Sequence, residues 1–261
     1  MSLSSKKASV ALFQPTFGLD LPHGRCVGVA LPASNVASDA LASAEVRALP
    51  EEEQRHLETL PEARRASWAG GRIALHAALK DLGVDAGPIL STPRGAPLLP
   101  ANVRGSISHK DSLAVALASR AEGDAGAWHL GIDIEPVAPT KLDISKRVLR
   151  PEELARLPPP EDPRRIEELA FAFSAKEAIY KALDPFVGRY VSFQEVAVER
   201  AADSAAVAAL YLREGEASAF DVSIRWLRRD DVMLTTARIS LSVSTQRSLP
   251  IRSPLPSAGE G

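Results

Sequence analysis

The sequence predicts a fold of helices and antiparallel strands that is divided into two halves. Two long segments, at about residues 61–82 and 164–183, have the apolar spacing that is typical of helices. Each has neighbouring segments in which apolar and polar residues alternate, which indicates strands. Between the halves, residues 120–127 are rich in glycine, alanine and aspartate, so we interpret them as a connecting loop.

This loop sets the expected division of the chain. We predict an N-terminal half at residues 1–125 and a C-terminal half at residues 126–244. Residues 245–261 contain several serine and proline residues and few large apolar ones, so we expect a disordered tail. No internal repeat is visible in the sequence.

In the N-terminal half, proline and glycine interrupt the first 60 residues, apart from an apolar run from Cys26 to Leu31 that predicts a strand. A short helix is predicted at about residues 50–60. The long helix begins at Pro61 and is followed by Gly83, which are the usual start and stop signals. Two further strands are predicted, at Val103–His109 and Leu113–Ser119.

The C-terminal half begins with a predicted strand, Trp128 to Val137. A short helix follows Pro151, and the second long helix spans Arg164 to Leu183. The remainder, up to about Val243, alternates apolar and polar residues in three or four segments, which predicts antiparallel strands.

The composition excludes several classes of protein. The 261 residues include 31 basic and 33 acidic ones, a net charge of −2 that gives no electrostatic reason to expect nucleic-acid binding. No apolar run approaches the roughly 20 residues of a membrane helix, and the N-terminus has no secretory signal. Cys26 is the one cysteine, which excludes an internal disulfide and a cysteine zinc site. We expect a cytoplasmic protein.

Two carboxylates lie on one face of the strand that contains the sequence GIDIE. Asp133 and Glu135 alternate with Ile132 and Ile134, so they project on the same side, about 7 Å apart. Adjacent carboxylates repel each other unless a cation or a proton lies between them. The pair therefore suits Mg²⁺, and the alternative is a solvated polar face of an edge strand.

A third carboxylate, Glu177, interrupts an apolar stripe on the second long helix. It follows Phe173 by four residues and precedes Tyr180 by three. A carboxylate that faces a core needs a partner or a metal ion. The alternative is a surface pair with Lys181, one helical turn further on.

Ser108 and His109 end a strand immediately before a turn, where hydroxyl, imidazole and backbone N–H groups suit phosphate oxygens. A serine nucleophile with His109 as its base is geometrically poor, because adjacent strand residues point to opposite faces. The alternative is a turn serine beside a half-buried histidine.

Three arginines could hold a phosphate near the first long helix. Arg64 and Arg72 are separated by about 80° around the helix axis, so both can border one groove. Arg94 lies in a loop rich in proline and glycine that could fold over this groove. Guanidinium groups bind phosphate well, and the alternative for each is a solvated surface position.

Together these segments resemble the Sfp-type 4′-phosphopantetheinyl transferases, and in particular the branch of enterobactin synthesis. The resemblance covers about residues 60–195. The motifs that carry it are RRASWAGGRIAL (64–75), PRGAPLLP (93–100), GSISH (105–109), GIDIEP (131–136), FSAKEAIYKAL (173–183) and PFVGRYVSF (185–193).

The resemblance implies an α+β fold of two similar halves related by a pseudo-twofold, with CoA bound in the cleft between them. It implies that Mg²⁺, or Mn²⁺ in its place, is bound by Asp133, Glu135 and Glu177. It also implies that CoA is bound by Arg64, Arg72, Arg94, Ser108, His109, Lys176 and Lys181. The catalytic residues it implies are Glu177, Lys181 and His109.

The implied reaction moves the phosphopantetheine arm from CoA to a serine of an acyl or peptidyl carrier protein. Acidic carrier helices would favour a basic rim, for which the sequence offers Lys141, Lys146, Arg147 and Arg150. A two-halved chain needs no second copy to complete the cleft, so we expect a monomer. The alternatives are a Mg²⁺-dependent phosphohydrolase and a CoA-binding scaffold without catalysis.

Overall fold

The computed structural model describes residues 12–33, 42–121, 127–139, 143–214, 216 and 219–242. The expected tail and Lys141 lie outside these residues. The expected boundary at about residue 125 also does, although the strands before and after it belong to two different sheets.

The first sheet is antiparallel, with the strand order β1-β2-β4-β3, and one long helix packs on it. The elements described in this half are β1 (Gln14–Leu21), β2 (Gly24–Ala30), α1 (Ala44–Arg47), α2 (Glu51–Thr59), α3 (Glu62–Asp81), β3 (Val103–Lys110) and β4 (Leu113–Arg120).

The second sheet is also antiparallel, with the strand order β5-β9-β8-β7-β6. The elements described in this half are β5 (Trp128–Pro136), α4 (Ser145–Val148), α5 (Pro151–Leu154), α6 (Arg164–Val187), β6 (Val196–Arg200), β7 (Ala205–Leu210), β8 (Phe220–Arg229) and β9 (Val232–Leu241).

The predicted strands and long helices are present, with two differences. Strand β1 was not predicted, because Pro15 and Gly18 indicated an interrupted segment. It forms because it lies at the edge of its sheet and is irregular between Pro15 and Phe17, where a proline is tolerated. Helix α6 continues through Pro185 and ends at Gly188, which adopts a left-handed conformation (φ +60°).

The two halves share one order of three strands around the long helix. In the first, the strand before the long helix (β2) pairs with the last strand (β4), which pairs with the strand before it (β3). In the second, β5, β9 and β8 repeat this order around α6. The predicted α+β fold of two similar halves is confirmed, and the repeated order is what a pseudo-twofold requires.

The two sheets pack face to face between the long helices. Helix α3 covers one face of the first sheet, around Leu75 and Leu79, and α6 covers one face of the second, around Ala175 and Ile179. A third apolar cluster joins the opposite faces of the sheets: Cys26, Val115, Leu117, Trp128, Leu130, Ile132, Ile134 and Leu234. Because strand side chains alternate, Gly131, Asp133 and Glu135 face away from this cluster, towards α6.

None of the helices in the described ranges is sufficiently long and apolar to cross a lipid bilayer.

A buried histidine links the two halves. His23, in the turn between β1 and β2, is within 2.9 Å of Thr236 Oγ1 through Nδ1 and within 3.0 Å of Ser223 Oγ through Nε2. Burial lowers the pKa of His23 to about 4, and the positive charges of Arg225 and Arg238 act in the same direction. The folded protein therefore holds this imidazole neutral.

The substitution His23→Asn is expected to reduce the loss of stability on acidification. The pKa of His23 is about 4 in the folded protein and 6.5 without perturbation, so between these values the unfolded chain binds more protons. The contribution of His23 to the unfolding free energy is at its full value above pH 6.5 and decreases as the pH falls towards 4. Between pH 7 and pH 5, wild type should lose about 1–2 kcal/mol more unfolding free energy than the variant.

Urea unfolding at several pH values measures this difference, and the range from pH 7.5 to 8.5, where it should be constant, is the internal control. Equal losses for both proteins between pH 7 and pH 5 would contradict the role of His23.

Candidate active site

A cavity of about 510 Å³ lies between the two halves. Its walls come from α3, the loop at residues 91–99, β3, β5 and α6. Five of the predicted site residues line it: Arg64, Arg72, Arg94, His109 and Lys181. Residues from both halves therefore surround one space with several cationic groups.

The predicted acidic residues lie where β5 and α6 meet. A Cβ atom at Gly131 would overlap the carbonyl oxygen of Ala178, so the strand and the helix approach at backbone distance. Asp133 follows Gly131 by two residues on the same face of β5, and Lys181 on α6 donates hydrogen bonds to Ile132 O (3.0 Å) and Asp133 Oδ1 (2.7 Å). The close approach places the acids of the strand beside the helix.

The two oxygen atoms of Asp133 have different surroundings. Oδ1 accepts hydrogen bonds from Ser108 Oγ (2.8 Å) and Lys181 Nζ (2.7 Å). Oδ2 is buried and has no hydrogen-bond partner. A buried carboxylate oxygen without a partner is costly, so Oδ2 is the atom that a bound cation would stabilise.

The other two carboxylates are close enough for Asp133 to affect their titration. Burial raises the pKa of Glu135, although Lys110 Nζ binds this carboxylate at 2.9 Å and opposes the shift. Burial also raises the pKa of Glu177, and the negative charge of Asp133 adds to the shift. The three like charges therefore destabilise one another, which a cation between them would relieve.

These residues fit a divalent cation by the kind of ligand they offer. Carboxylate oxygens are the ligands that Mg²⁺ prefers, and Asp133 Oδ2 is free to bind one. In the part of the chain that the structure describes, no group of three or more His, Cys, Asp or Glu side chains is already arranged to hold a metal ion. The metal set Asp133, Glu135 and Glu177 stays a prediction.

His109 faces the cavity from the end of β3. Desolvation by the cavity walls lowers its pKa, and the positive charges of Lys181 and Arg64 lower it further. The imidazole is therefore neutral at pH 7, and it can donate a hydrogen bond without adding a fixed positive charge.

The guanidinium of Arg72 is engaged in contacts within the protein. Its Nε donates to Ile89 O (2.7 Å) and its Nη2 donates to Ser91 Oγ (2.9 Å), while the guanidinium lies 4.6 Å from the centre of the Trp68 ring. Burial lowers its pKa to about 10. Arg72 thus fixes the loop at one wall of the cavity, whereas Arg64 is exposed there.

Arg94 joins the two halves across the cavity. Its guanidinium makes a bidentate ion pair with Asp184 at 2.5–3.0 Å, and Nη2 also lies 3.4 Å from Tyr180 Oη. The prediction was that this loop could fold over the groove of Arg64 and Arg72; the loop does contact Arg72 through Ser91, and Arg94 at its tip also reaches α6.

The structure does not bring Lys176 to the cavity. Its side chain is 1% exposed, and its Nζ donates to Val148 O (2.8 Å), Phe193 O (3.1 Å) and Glu153 Oε2 (2.6 Å). All three N–H donors are used within the protein. Lys176 therefore connects the segment of α4 and α5 to α6, and its contacts do not support binding of CoA.

Comparison with known proteins supports the resemblance found in the sequence. A model of the 4′-phosphopantetheinyl transferase N-terminal domain matches residues 52–119. A model of the 4′-phosphopantetheinyl transferase superfamily matches residues 129–237. Together, the two models cover both halves of the fold.

Enterobactin synthase component D of Salmonella typhimurium is 31% identical over 199 residues, which are 72% of this chain and 77% of that protein. The chain belongs to the 4′-phosphopantetheinyl transferase superfamily. The transferase Svp of Streptomyces mobaraensis is 36% identical over 55% of this chain, and the match spans only 58% of Svp. A holo-(acyl-carrier-protein) synthase from Bacillus anthracis, in complex with CoA (3′,5′-ADP), is 20% identical with a TM-score of 0.36, over 43% of this chain and 96% of that one.

Three residues of this transferase site were missed by the sequence analysis. Lys110 pairs with Glu135, and Asp184 and Tyr180 hold Arg94. A signal for Lys110 was present, because it follows Ser108 by two residues and so shares its face of β3. Nothing in the sequence links Asp184 to Arg94, which is 90 residues away.

The substitution Lys176→Met is expected to destabilise this transferase without changing metal-free CoA binding. It would leave the carboxylate of Glu153 buried without its charged partner, which costs about 3–5 kcal/mol. Urea unfolding and calorimetric titration with CoA measure the two effects. The control is Lys80→Met, on the exposed surface of α3, which should change neither.

Adding Glu153→Gln to Lys176→Met should restore part of the lost stability, because both charges are then removed. A Lys176→Met protein of normal stability but weakened CoA binding would instead support the contact that the resemblance implied.

Proposed function

We propose that this protein transfers the 4′-phosphopantetheine group from CoA to a serine hydroxyl of an acyl or peptidyl carrier protein. The second product is adenosine 3′,5′-bisphosphate. The oxygen of the serine forms a bond to the β-phosphorus of CoA, and the bond from that phosphorus to the bridging oxygen breaks.

One observation carries the proposal: Asp133 is near enough to Glu135 and Glu177 to raise the pKa of both, and it pairs with Lys181, one of the cationic side chains that line the cavity. Phosphoryl transfer depends mainly on positioning the reactants and stabilising charge, which requires few covalent contributions from a protein. The acids suit a divalent cation, and the cationic wall suits the phosphates of CoA.

Each group of side chains has a role in this reaction. Arg64, which is exposed at the cavity wall, and Arg94 would bind the phosphates, the latter by exchanging Asp184 for a phosphate oxygen. His109 would donate a hydrogen bond to a phosphate oxygen from its neutral imidazole. Lys181 would stabilise the negative charge of the leaving phosphate.

The acids prepare the nucleophile and the leaving group. A Mg²⁺ ion bound by Asp133, Glu135 and Glu177 would neutralise the diphosphate and stabilise the leaving group. Glu177 is half-buried at this site, and its carboxylate would accept the proton of the serine hydroxyl as the serine attacks. Cytoplasmic location, a monomeric state and Mn²⁺ as a substitute metal remain predictions.

The substitution Glu177→Gln is expected to reduce kcat for carrier modification by about 10²–10⁴-fold, because the amide cannot accept the proton. Intact mass of a carrier protein incubated with CoA and Mg²⁺ measures the reaction. The matched control is Glu168→Gln, nine residues earlier on the opposite side of α6, where Glu168 pairs with Arg200.

A rate close to that of wild type would remove Glu177 from the mechanism. Release of adenosine 3′,5′-bisphosphate without any carrier would support the phosphohydrolase, and CoA binding that is independent of Mg²⁺ and unaccompanied by transfer would support the scaffold.

We also propose that the carrier binds beside α4. Lys146 and Arg147 are exposed on this short helix, whereas Arg150 is held by Glu152 and by the ring of Tyr211, 3.7 Å from its guanidinium. These two exposed cations would attract an acidic carrier helix.

Replacing both Lys146 and Arg147 by Glu is expected to raise KM for the carrier about tenfold, because each exposed charge pair contributes up to about 1 kcal/mol. KM for CoA should not change, and steady-state kinetics with each substrate varied measure both constants. Lys80→Glu, a single charge reversal on α3, is the control. An unchanged KM for the carrier would refute this docking surface.

A further inference from the structure

Ser108 connects β3 of the first half to β5 of the second. It is 6% exposed, and its hydroxyl donates to Asp133 Oδ1 at 2.8 Å. It does not line the cavity, although its neighbour His109 does. Its side chain is therefore directed at the carboxylate rather than at the space that a phosphate would fill.

The hydrogen bond fixes the rotation of the Asp133 carboxylate. Two donors, Ser108 and Lys181, hold Oδ1 on one side, which leaves Oδ2 as the unpartnered buried oxygen. A carboxylate that is held at one oxygen presents the other in a defined direction. Such outer hydrogen bonds orient metal ligands and raise the affinity for the metal.

The hydrogen bonds from Ser108 and Lys181 to Asp133 differ in whether a bound phosphate would compete with them. Lys181 is partly exposed (26%) and lines the cavity, so bound phosphate would compete with Asp133 for its ammonium. Ser108 is buried, uncharged and away from the cavity, so phosphate does not compete for it. When a phosphate draws Lys181 away, Ser108 remains to hold Oδ1.

We infer that Ser108 is a positioning residue, which orients Asp133 so that Oδ2 binds the divalent cation, and that it does not contact the phosphates of CoA. This inference rests on the proposed function, since it assigns Ser108 to the metal side of that site. It differs from the role in phosphate binding that the family resemblance implied.

The test is a titration of the full chain with Mn²⁺, followed by electron paramagnetic resonance, with and without CoA. Ser108→Ala is expected to weaken Mn²⁺ binding about 10-fold or more. Ser108→Thr, which retains the hydroxyl, should stay within about threefold of wild type. CoA binding measured by calorimetry in EDTA should be the same in wild type, Ser108→Ala and Ser108→Thr.

A matched control is available on the same strand. Ser106 is 5% exposed and also joins β3 to β5, because its Oγ accepts a hydrogen bond from Ile132 N at 3.2 Å. Ser106 also lines the cavity, so it is the control for Mn²⁺ affinity without CoA: Ser106→Ala removes a buried hydroxyl without touching Asp133, and this affinity should be unchanged. If Ser108→Ala does not fold, Ser108→Cys fills a similar volume with a weaker donor and should show the same direction of change.

The outcomes separate this inference from the proposed function. Wild-type affinity for Mn²⁺ in Ser108→Ala, together with weaker metal-free binding of CoA, would overturn the inference and leave the proposed function intact. Equal losses of Mn²⁺ affinity in Ser106→Ala and Ser108→Ala would also overturn it. Wild-type protein that binds no Mn²⁺ even with CoA would overturn the proposed metal site itself.

Discussion

The geometry of the candidate site depends on the close approach of β5 to α6. Gly131 has no side chain, so the backbone of the strand reaches the Ala178 carbonyl, where a Cβ atom would overlap it. The buried face of the helix has small residues here, including Ala175 and Ala182. A wider separation would move Lys181 out of hydrogen-bond range of Asp133 and separate Glu177 from the acids of the strand. Packing therefore determines the electrostatics.

The packing of β5 against α6 places three carboxylates beside two lysines. Lys110 and Lys181 stabilise Glu135 and Asp133, while Glu177 has a raised pKa beside them. Lysine side chains are long and partly exposed, so a small divalent cation with phosphates can replace them without a change in the backbone. The two lysines thus compensate two of the three carboxylates, and their replacement by a metal ion belongs to the proposed function.

Much of the fold could be predicted from the sequence, because local signals agreed with tertiary structure. Pro61 and Gly83 marked the predicted ends of α3, and the observed ends lie within one or two residues of them. Strand β1 could not be predicted, since its proline, Pro15, is tolerated only because the strand lies at the edge of its sheet. The similarity of the halves was expected only from the family resemblance, because no repeated residues carry it: it lies in the order of the strands.

The site was predictable where residues share one element, and less so where distant segments meet. Glu177 and Lys181 are one helical turn apart and lie on the same side of α6. Lys176 and Lys181 differ by five residues, about 140° around the axis, so they face different surroundings. That angle argues against both entering one cavity, although the resemblance assigned both to CoA, and the partner of Lys176, Glu153, follows only from the fold. Motif spacing identified the chemical groups, and packing decides which of them reach the substrate.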